Sequence, residues 1–415
     1  MYYVFQMIDR TIYSLLKEQT ELKPVVLVTG ARQVGKTTLC GMLSRDLGMK
    51  YVTLADNSER MLAMNDPDMF IRVHGYPIII DEIHHAPGLF EAIEAVVDRE
   101  RLADPDAHGL FVLTGSKKYR LMEGITQTMS GRVGIINVTG ISLSEEYGLE
   151  ESPFSVSPES FFSRSHEVND DTDMMSRIVR GMYPEIVSKK RLTPQRFYSD
   201  YVDTYIMRDV SEMINIRDRM KFRSFMEVVA SLTGQTINYN TISNSVGINQ
   251  KTVKNWLSVL EAGDIIFMLE PYADKSIVKR VTKSPKIYMK DTGLACYLAK
   301  IPDSKILGAS YLKGPMTETF IVNEIMKTHS NGGLETPFFF YRVSENEEID
   351  LLMLYNGRLE MIECKSGMDI EKSDVKTFKK LRTDQEKVGC VVCLTDRPYP
   401  ITDGVYAIPL RAVGS

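Results

Sequence analysis

The sequence predicts an α/β protein whose N-terminal part is a parallel sheet with helices on both faces. Four strand-length segments, PVVLVTG, KYVTLAD, PIIIDE and GLFVLTGS, are apolar throughout rather than alternating, and helix-like segments separate them. A strand without a polar face must be covered on both sides, as strands are in parallel sheets. We therefore expect a doubly covered sheet after a leading helix over residues 1 to about 20.

Length and composition restrict the class of protein further. The chain has 415 residues, enough for two or three domains, and its 43% hydrophobic and 25% charged residues are typical of globular proteins. No apolar run approaches the roughly 18 residues of a membrane span, so we expect a cytoplasmic protein. Five cysteines are few and odd in number for a disulfide framework, so they are expected to be free thiols.

A phosphate-binding pattern follows the first apolar strand. GARQVGKT fits G-x-x-x-x-G-K-[ST] completely, and it leads into the helix-like KTTLCGMLSRDL. Glycines let backbone N–H groups close around phosphate oxygens, Lys36 is the expected cation on the β- and γ-phosphates, and Thr37 is the expected hydroxyl ligand of Mg²⁺. The predicted ATP-binding residues are Gly30, Ala31, Arg32, Gln33, Val34, Gly35, Lys36, Thr37 and Thr38.

Downstream segments supply candidate catalytic groups for the same site. The apolar residues 78–80 are followed by Asp81 and Glu82, at the carboxyl end of a strand, where ligands bind in α/β sheets. Asp81 is expected to hold Mg²⁺, and Glu82 to orient and deprotonate the attacking water. Ser116, after a third strand, is placed to hydrogen-bond the γ-phosphate or the water. Arg132 is either a surface arginine or a charge stabiliser for this phosphate or a neighbouring subunit's, an arginine-finger arrangement that would require oligomerisation.

Motifs over nearly the whole chain resemble those of bacterial and archaeal AAA-type ATP-binding proteins with a C-terminal domain of largely unknown function. They are VTGARQVGKTTL, IIIDEIHHAP, LTGSKKYRL, SGRVGIINVTGISLSE, YIMRDV, PKIYMKDTGLA and EIDLLMLYNGRLEMIECKSG. The resemblance implies a P-loop ATPase that binds ATP, hydrolyses it through Asp81 and Glu82, and uses Ser116 and Arg132 as sensors. Two histidines follow IIIDEI, where the resemblance leads us to expect a glutamine and a variable residue.

A basic segment in the middle of the chain predicts a winged helix-turn-helix. Residues 217–290 carry twelve Lys and Arg against six Asp and Glu, whereas the whole chain has a net charge of −5. Two helices are expected on either side of Gly247, the second with a buried apolar face. DIIFML and the cationic stretch after it are expected to form the wing. The candidate DNA-binding side chains are Lys251, Lys254, Lys279 and Arg280; the alternative is a winged helix that contacts protein.

A hairpin near the end of the chain predicts a cluster of carboxylates. In EIDLLMLYNGRLEMIECKSG, two strand-like runs flank an Asn-Gly turn, and pairs that sum to 713 set Asp350 opposite Glu363, with Lys365 on the same face. Facing carboxylates repel unless a cation bridges them, so both acids are candidate metal ligands. With Glu318 from a helix, the set resembles the PD-(D/E)xK nuclease fold. An active site and a non-cleaving relic both remain open.

These features predict four segments, and two classes of function compete. The segments are a P-loop AAA-type ATPase domain (1–150), an acidic linker and helical region (151–215), a winged-helix domain (216–300) and a nuclease-like α/β domain (301–415). We expect an ATPase that uses ATP and Mg²⁺, engages DNA and carries a candidate metal-dependent nuclease site. The alternative is a nucleotide-dependent switch or scaffold that binds protein partners through an inert C-terminal half. A small-molecule kinase would not account for the winged helix or the hairpin.

Overall fold

A computed structural model describes residues 8–115, 121, 129, 131–157, 161, 173–207, 219–273, 284–344, 347–381 and 386–414. The chain divides into two compact units. The N-terminal unit comprises residues 10–140 together with 262–264, and the C-terminal unit comprises the rest of the described chain. None of the helices described combines the length and the apolar character that a membrane span requires.

The N-terminal unit alternates helices with parallel strands. Its elements are α1 Ile12–Leu22, β1 Val25–Thr29, α2 Lys36–Leu47, β2 Lys50–Thr53, α3 Asn57–Asn65, α4 Pro67–His74, β3 Ile78–Asp81, a 3₁₀ helix Ile83–His85, α5 Leu89–Ala103, β4 Phe111–Thr114 and β5 Val133–Asn137. The strands described here all pair in parallel, in the order β2-β3-β4-β1-β5. Every residue of β1, β3 and β4 is buried. The predicted parallel sheet is confirmed, and β5 adds a strand that the apolar runs did not reveal.

The strand order brings the predicted ATP-site segments to one edge of this sheet. β4 lies between β1, which leads into the P-loop, and β3, which ends in Asp81. The carboxyl ends of parallel strands meet at the same edge. The P-loop, the acidic pair after β3 and the last residue of β4 therefore converge there.

The C-terminal unit contains a helical region and two sheets. Its helices are α6 Leu143–Tyr147, α7 Met174–Arg180, α8 Pro184–Ser188, α9 Pro194–Tyr201 with a π-helical extension Val202–Ile206, α10 Arg219–Ser231, α11 Tyr239–Val246, α12 Gln250–Ala262, α13 Thr292–Leu298, α14 Ser304–Ala309, α15 Lys313–Asn331, α16 Lys376–Lys380 and a 3₁₀ helix Leu410–Gly414. Its strands are β6 Gln235–Thr236, β7 Ile266–Leu269, β8 Lys286–Met289, β9 Phe338–Ser344, β10 Glu347–Tyr355, β11 Arg358–Cys364, β12 Lys387–Cys393, β13 Tyr399–Thr402 and β14 Val405–Pro409. One sheet has the order β6-β8-β7, and the other has the order β13-β14-β12-β11-β10-β9.

The predicted hairpin and the predicted free thiols are both confirmed. β10 and β11 pair from Leu351 with Ile362 to Tyr355 with Arg358, so that each pair sums to 713. The turn residues have left-handed φ values, 51° and 74°, which an Asn-Gly hairpin turn accommodates. All five cysteines are buried and unpaired, including the two in the predicted buried strand β12.

The structure differs from the predicted linker at its N-terminal end. Phe154 and Val156 are buried; the N–H of Phe154 donates to the Thr328 hydroxyl at 2.9 Å, and that of Val156 to the Glu360 carboxylate at 2.7 Å. The division between the two units falls after residue 140 rather than 150, because the chain that follows residue 140 already packs within the C-terminal unit: the N–H of Leu143 donates to the Glu324 carboxylate at 2.8 Å. Residues 162–172 of the predicted linker lie outside the described part of the chain.

Candidate functional site

The P-loop joins β1 to α2 through backbone conformations that glycine favours. Gly30, Gln33 and Gly35 have φ values of 137°, 60° and 98°. A Cβ at Gly30 would lie 2.1 Å from the carbonyl oxygen of Val138, so space as well as conformation requires glycine there. The loop therefore leads into the N-terminus of α2, where backbone N–H groups and the helix dipole favour binding of an anion.

Lys36 begins α2 and is buried within the loop. Its Nζ donates to the carbonyl oxygens of Gly30, at 2.9 Å, and Ala31, at 2.6 Å. Burial lowers the pKa of Lys36 to about 8, an effect opposed by the nearby carboxylates of Glu82 and Asp81. The predicted phosphate-binding cation thus lies on the P-loop itself.

Hydroxyl groups from neighbouring strands surround Asp81, the buried last residue of β3. Its carboxylate accepts hydrogen bonds from Thr114 of β4 at 2.5 Å and from Thr53 of β2 at 3.2 Å. The Tyr51 hydroxyl lies beside Asp81 and Thr37, and burial together with Asp81 raises the pKa of Tyr51. The two predicted Mg²⁺ ligands therefore share a neighbour, and this set of hydroxyl and carboxylate oxygens suits Mg²⁺. Sequence reasoning missed all three hydroxyls.

Glu82 has an unusual backbone conformation and a buried histidine partner. Its φ is 57°, in the left-handed region that non-glycine residues rarely adopt, and its N–H donates to the Thr114 hydroxyl at 3.4 Å. One carboxylate oxygen lies 3.0 Å from Nδ1 of His84, which is 4% exposed. Burial alone would raise the pKa of Glu82, but His84 and Lys36 lower it to about 2. The lowered pKa means that the carboxylate of the candidate base is ionised.

Of the two predicted sensor residues, the structure describes only Arg132. Ser116 lies outside the described residues. The Arg132 guanidinium is 2.7 Å from the Asp98 carboxylate and 3.4 Å from that of Glu94, both on α5. These ion pairs lie within the N-terminal unit, and the role of Arg132 as a charge stabiliser stays a prediction.

The helices predicted on either side of Gly247 are present as α11 and α12. Gly247 has a φ of 69°, and the N–H of Thr252 donates to the Asn249 side chain at 2.8 Å, as expected of an N-cap. The apolar face of α12 is buried as predicted, through Val253, Trp256, Leu257 and Leu260. Aromatic packing against α10 fixes α12 within the C-terminal unit.

The exposed face of α12 carries two of the four candidate DNA-binding residues. Lys251 and Lys254 are both exposed, as predicted. Nζ of Lys254 lies 5.1 Å from the ring centroid of Tyr239, a cation–π distance. Lys279 and Arg280 lie outside the described residues.

A carboxylate cluster, defined as Glu318, Glu348, Asp350 and Glu363, lies where α15 approaches the β10–β11 hairpin. The ammonium of Lys286, from β8, is 2.8 Å from Glu318 and 3.4 Å from Asp350, and it also pairs with Glu348. The structure therefore brings the predicted acids together, but the cation between them is a lysine that the sequence reasoning had assigned to a basic stretch.

Further contacts complete this cluster. Glu318 accepts from the Tyr288 hydroxyl at 2.5 Å, and Lys365 lies 3.0 Å from Glu363 and 3.5 Å from Asp374. Burial and the Asp350 charge raise the pKa of Glu318 to about 7 and that of Glu363 well above its usual range. Lys365, predicted on the same face as Glu363, forms an ion pair with it.

Comparison with family models supports the assignment of the N-terminal unit. Residues 22–147 match an AAA domain, residues 171–305 a domain of unknown function (DUF8612), and residues 313–413 a domain of unknown function (DUF4143). The first match covers the parallel sheet, the P-loop and the acidic pair. Residues 22–147 are therefore an AAA-type domain with the P-loop ATPase fold.

Individual proteins similar to this chain include two from mycobacteria. The uncharacterized proteins Rv2008c of Mycobacterium tuberculosis and Mb2031c of Mycobacterium bovis are each 24% identical over 396 residues, which cover 95% of this chain and 82% of the relative. Among solved structures, the Walker-type ATPase paby2304 of Pyrococcus abyssi is 14% identical over 70% of this chain and 95% of its own, with a TM-score of 0.42. A RuvB variant of Thermotoga maritima is 16% identical over 62% and 85%, with a TM-score of 0.28.

Proposed function

We propose that the protein binds and hydrolyses ATP with Mg²⁺ and that its C-terminal unit engages double-stranded DNA. The observation that carries the proposal is the convergence of Lys36, Asp81 and Glu82 at one edge of the parallel sheet. Phosphate release measured with Mg²⁺ and ATP, alone and with double-stranded DNA, single-stranded DNA or RNA, tests both parts. We expect hydrolysis in every mixture and the largest stimulation by double-stranded DNA.

Lys36, Thr37 and Asp81 have distinct roles in this proposal. When ATP binds, Lys36 gives up its hydrogen bonds to the P-loop carbonyl oxygens and binds the β- and γ-phosphates. Backbone N–H groups hold the remaining phosphate oxygens. Thr37 and Asp81 hold Mg²⁺, which when bound neutralises charge on the phosphates. Hydroxyl donors around Asp81 keep its carboxylate in one orientation, as outer-shell partners do for metal ligands.

Glu82 is the proposed general base, and His84 is its positioning residue. Three observations support these roles: the left-handed backbone at Glu82, the 3.0 Å contact with His84, and the charge of Lys36 close enough to lower the pKa of Glu82. A base is effective only within hydrogen-bond reach of the water that it deprotonates. Loss of the histidine contact would let the carboxylate rotate away from that position.

His84→Ala is expected to lower kcat for ATP hydrolysis by about tenfold or more, because the base loses its orienting partner. The KM for ATP should stay close to that of the wild type, since His84 has no role in nucleotide binding. His84→Gln restores a side-chain N–H donor without a ring and should recover most of the activity. Steady-state kinetics of the three proteins measure the split. A raised KM with unchanged kcat in His84→Ala would contradict a positioning role.

The proposal for DNA rests on the shape and charge of α12. Its apolar face is buried against α10, and its opposite face presents Lys251 and Lys254. In this proposal the preceding helix α11 and the sheet β6-β8-β7 are the other parts of a winged helix, and α12 is the recognition helix that would enter the major groove. Phosphate contacts from such lysines give salt-dependent affinity.

Replacing Lys251 and Lys254 together by alanine should lower the salt dependence of DNA affinity. Each neutralised phosphate contributes about 0.9 to the slope of log affinity against log salt, so the slope should fall by roughly 2. The slope is measured by fluorescence anisotropy of a labelled duplex at salt concentrations between about 50 and 200 mM, a range over which such affinities change strongly. A matched control replaces two exposed lysines elsewhere in the same unit, Lys305 and Lys372. Absence of binding by the wild type at low salt would favour the scaffold alternative.

One observation favours that alternative, a nucleotide-dependent scaffold that binds protein partners. Lys286, one of six cations in the basic stretch after DIIFML, is directed into the carboxylate cluster rather than towards solvent. The charge available to phosphates is therefore smaller than the sequence count of residues 275–290 indicates. Stimulation of hydrolysis by none of the nucleic acids would support the scaffold.

A further inference from the structure

We infer that Lys286 is the resident cation of the carboxylate cluster and excludes a divalent metal from it, so that this nuclease-like site is non-cleaving. The inference concerns the C-terminal unit and does not depend on ATP hydrolysis.

The ammonium of Lys286 has as many acidic partners as it has N–H donors. A lysine ammonium has three N–H donors and no acceptor. Glu318 from α15, and Glu348 and Asp350 from β10, supply three carboxylates around Lys286. Lys286 is 2% exposed, so these acids compensate a buried charge that would otherwise be costly. The acids therefore stabilise the position of the lysine, and the lysine prevents them from repelling one another.

A divalent metal would compete with Lys286 for the same carboxylate oxygens. A hard divalent cation binds carboxylate oxygens at about 2.0–2.6 Å and needs several of them. Oxygens of Glu318 and Asp350 already face the ammonium at 2.8 and 3.4 Å, so a metal could bind them only by displacing Lys286. Among the residues that the structure describes, no group of three or more His, Cys, Asp or Glu side chains is arranged to hold a metal.

Strand pairing on both sides fixes the backbone of Lys286. β8 is the central strand of its sheet, and Lys286 pairs with Thr236 of β6 on one side and Leu269 of β7 on the other. The lysine therefore cannot leave the cluster by movement of a loose segment. The ion pairs of Lys286, by contrast, join this sheet to α15 and to β10 of the six-stranded sheet.

The remaining groups of the nuclease-like pattern also have partners. The second oxygen of Asp350 accepts the backbone N–H of Cys364 at 2.9 Å. Lys365, which would have to position water in an active nuclease, is 3.0 Å from Glu363 and 3.5 Å from Asp374. The acids and lysines of the pattern thus satisfy one another.

Metal titration of the full chain without nucleotide tests the inference. Wild type should show no calorimetric binding of Mn²⁺ to the cluster, whereas Lys286→Met, which keeps the length of the side chain and removes its charge, should bind one additional Mn²⁺ per chain. That ion should be lost again in Lys286→Met combined with Asp350→Asn. Lys365→Met is the matched control, because it removes a lysine from the edge of the cluster and should gain no such site.

Two results would overturn the inference. One is a Mn²⁺ ion bound by the wild type and lost in Asp350→Asn, which would mean that a metal displaces Lys286. The other is a folded Lys286→Met that gains no Mn²⁺. A plasmid-nicking assay with Mg²⁺ or Mn²⁺ should likewise give no cleavage by the wild type above that of Asp350→Asn.

A stability measurement decides the matter even if Lys286→Met does not fold. If Lys286 is the resident cation, metal-free Asp350→Asn removes a partner of a buried charge and should have a lower Tm than the wild type. If instead the acids form an empty metal site, the carboxylates repel one another in the metal-free protein. Asp350→Asn then relieves this repulsion, and the Tm should be unchanged or higher. Thermal unfolding of both proteins in the presence of a chelator distinguishes the two signs.

Discussion

Glu82→Gln is expected to leave ATP binding intact and to lower the rate of phosphate release by about a hundredfold or more. The amide keeps the size of the side chain and its capacity to contact His84, but it cannot accept a proton from water. Glu82 lies close enough to Lys36 for that charge to help lower its pKa, so its carboxylate is in the ionised form that can accept a proton. Titration with a fluorescent ATP analogue measures binding, and single-turnover phosphate release measures hydrolysis.

Glu91→Gln is a suitable control for this substitution. Glu91 is an exposed residue in the first turn of α5, and its replacement makes the same chemical change outside the cluster. Hydrolysis by Glu91→Gln should match that of the wild type. If Glu82→Gln also hydrolysed ATP at the wild-type rate, another group would have to be the base, and the proposed mechanism would be wrong.

The parts of the structure that could be predicted depend on residues close together in the sequence. The P-loop is one short segment between a strand and a helix. The hairpin register follows from Asn356 and Gly357, because these two residues accommodate left-handed φ values and form the turn. Once the turn is placed, each residue of β10 has a determined partner in β11. Local chemistry was therefore enough to predict that Asp350 and Glu363 approach each other.

The hydroxyl groups around Asp81 could not be predicted in the same way. Thr53 and Thr114 reach Asp81 only because β2 and β4 flank β3 in the sheet. That order depends on how the helices pack against the sheet, and the separate strands carry no signal of it. The edge strand β5 was missed because Gly134, one residue into the strand, weakens the strand signal of a short segment.

Lys286 shows how a local pattern can mislead. In the sequence it belongs to a run of cations that predicts contact with phosphates. In the structure the nearest of its acidic partners along the chain, Glu318, is 32 residues away, and Asp350 is 64 residues away. A charge count over neighbouring residues cannot detect such a long-range ion pair, so a buried lysine was interpreted as part of a basic surface.

Lys36→Met is expected to weaken ATP binding by roughly 3 kcal/mol, or about a hundredfold. The substitution removes the cation that would face the β- and γ-phosphates and keeps a flexible apolar stem of similar length. Lys50→Met, at an exposed position at the start of β2, is the matched control and should bind ATP as the wild type does. Equilibrium titration with a fluorescent ATP analogue gives the two dissociation constants.

The pH dependence of stability shows whether Lys36→Met has lost only this group. Burial lowers the pKa of Lys36 to about 8, whereas an unfolded lysine titrates near 10.4, so between these pH values the folded protein binds fewer protons than the unfolded chain. Stability rises with pH wherever the unfolded state binds more protons. The wild type should therefore gain stability relative to Lys36→Met between pH 8 and about 10, and denaturant unfolding at several pH values measures the difference. If the difference did not change with pH while ATP binding was lost, Lys36 would not be buried as a titrating cation, and its place in the P-loop would have to be revised.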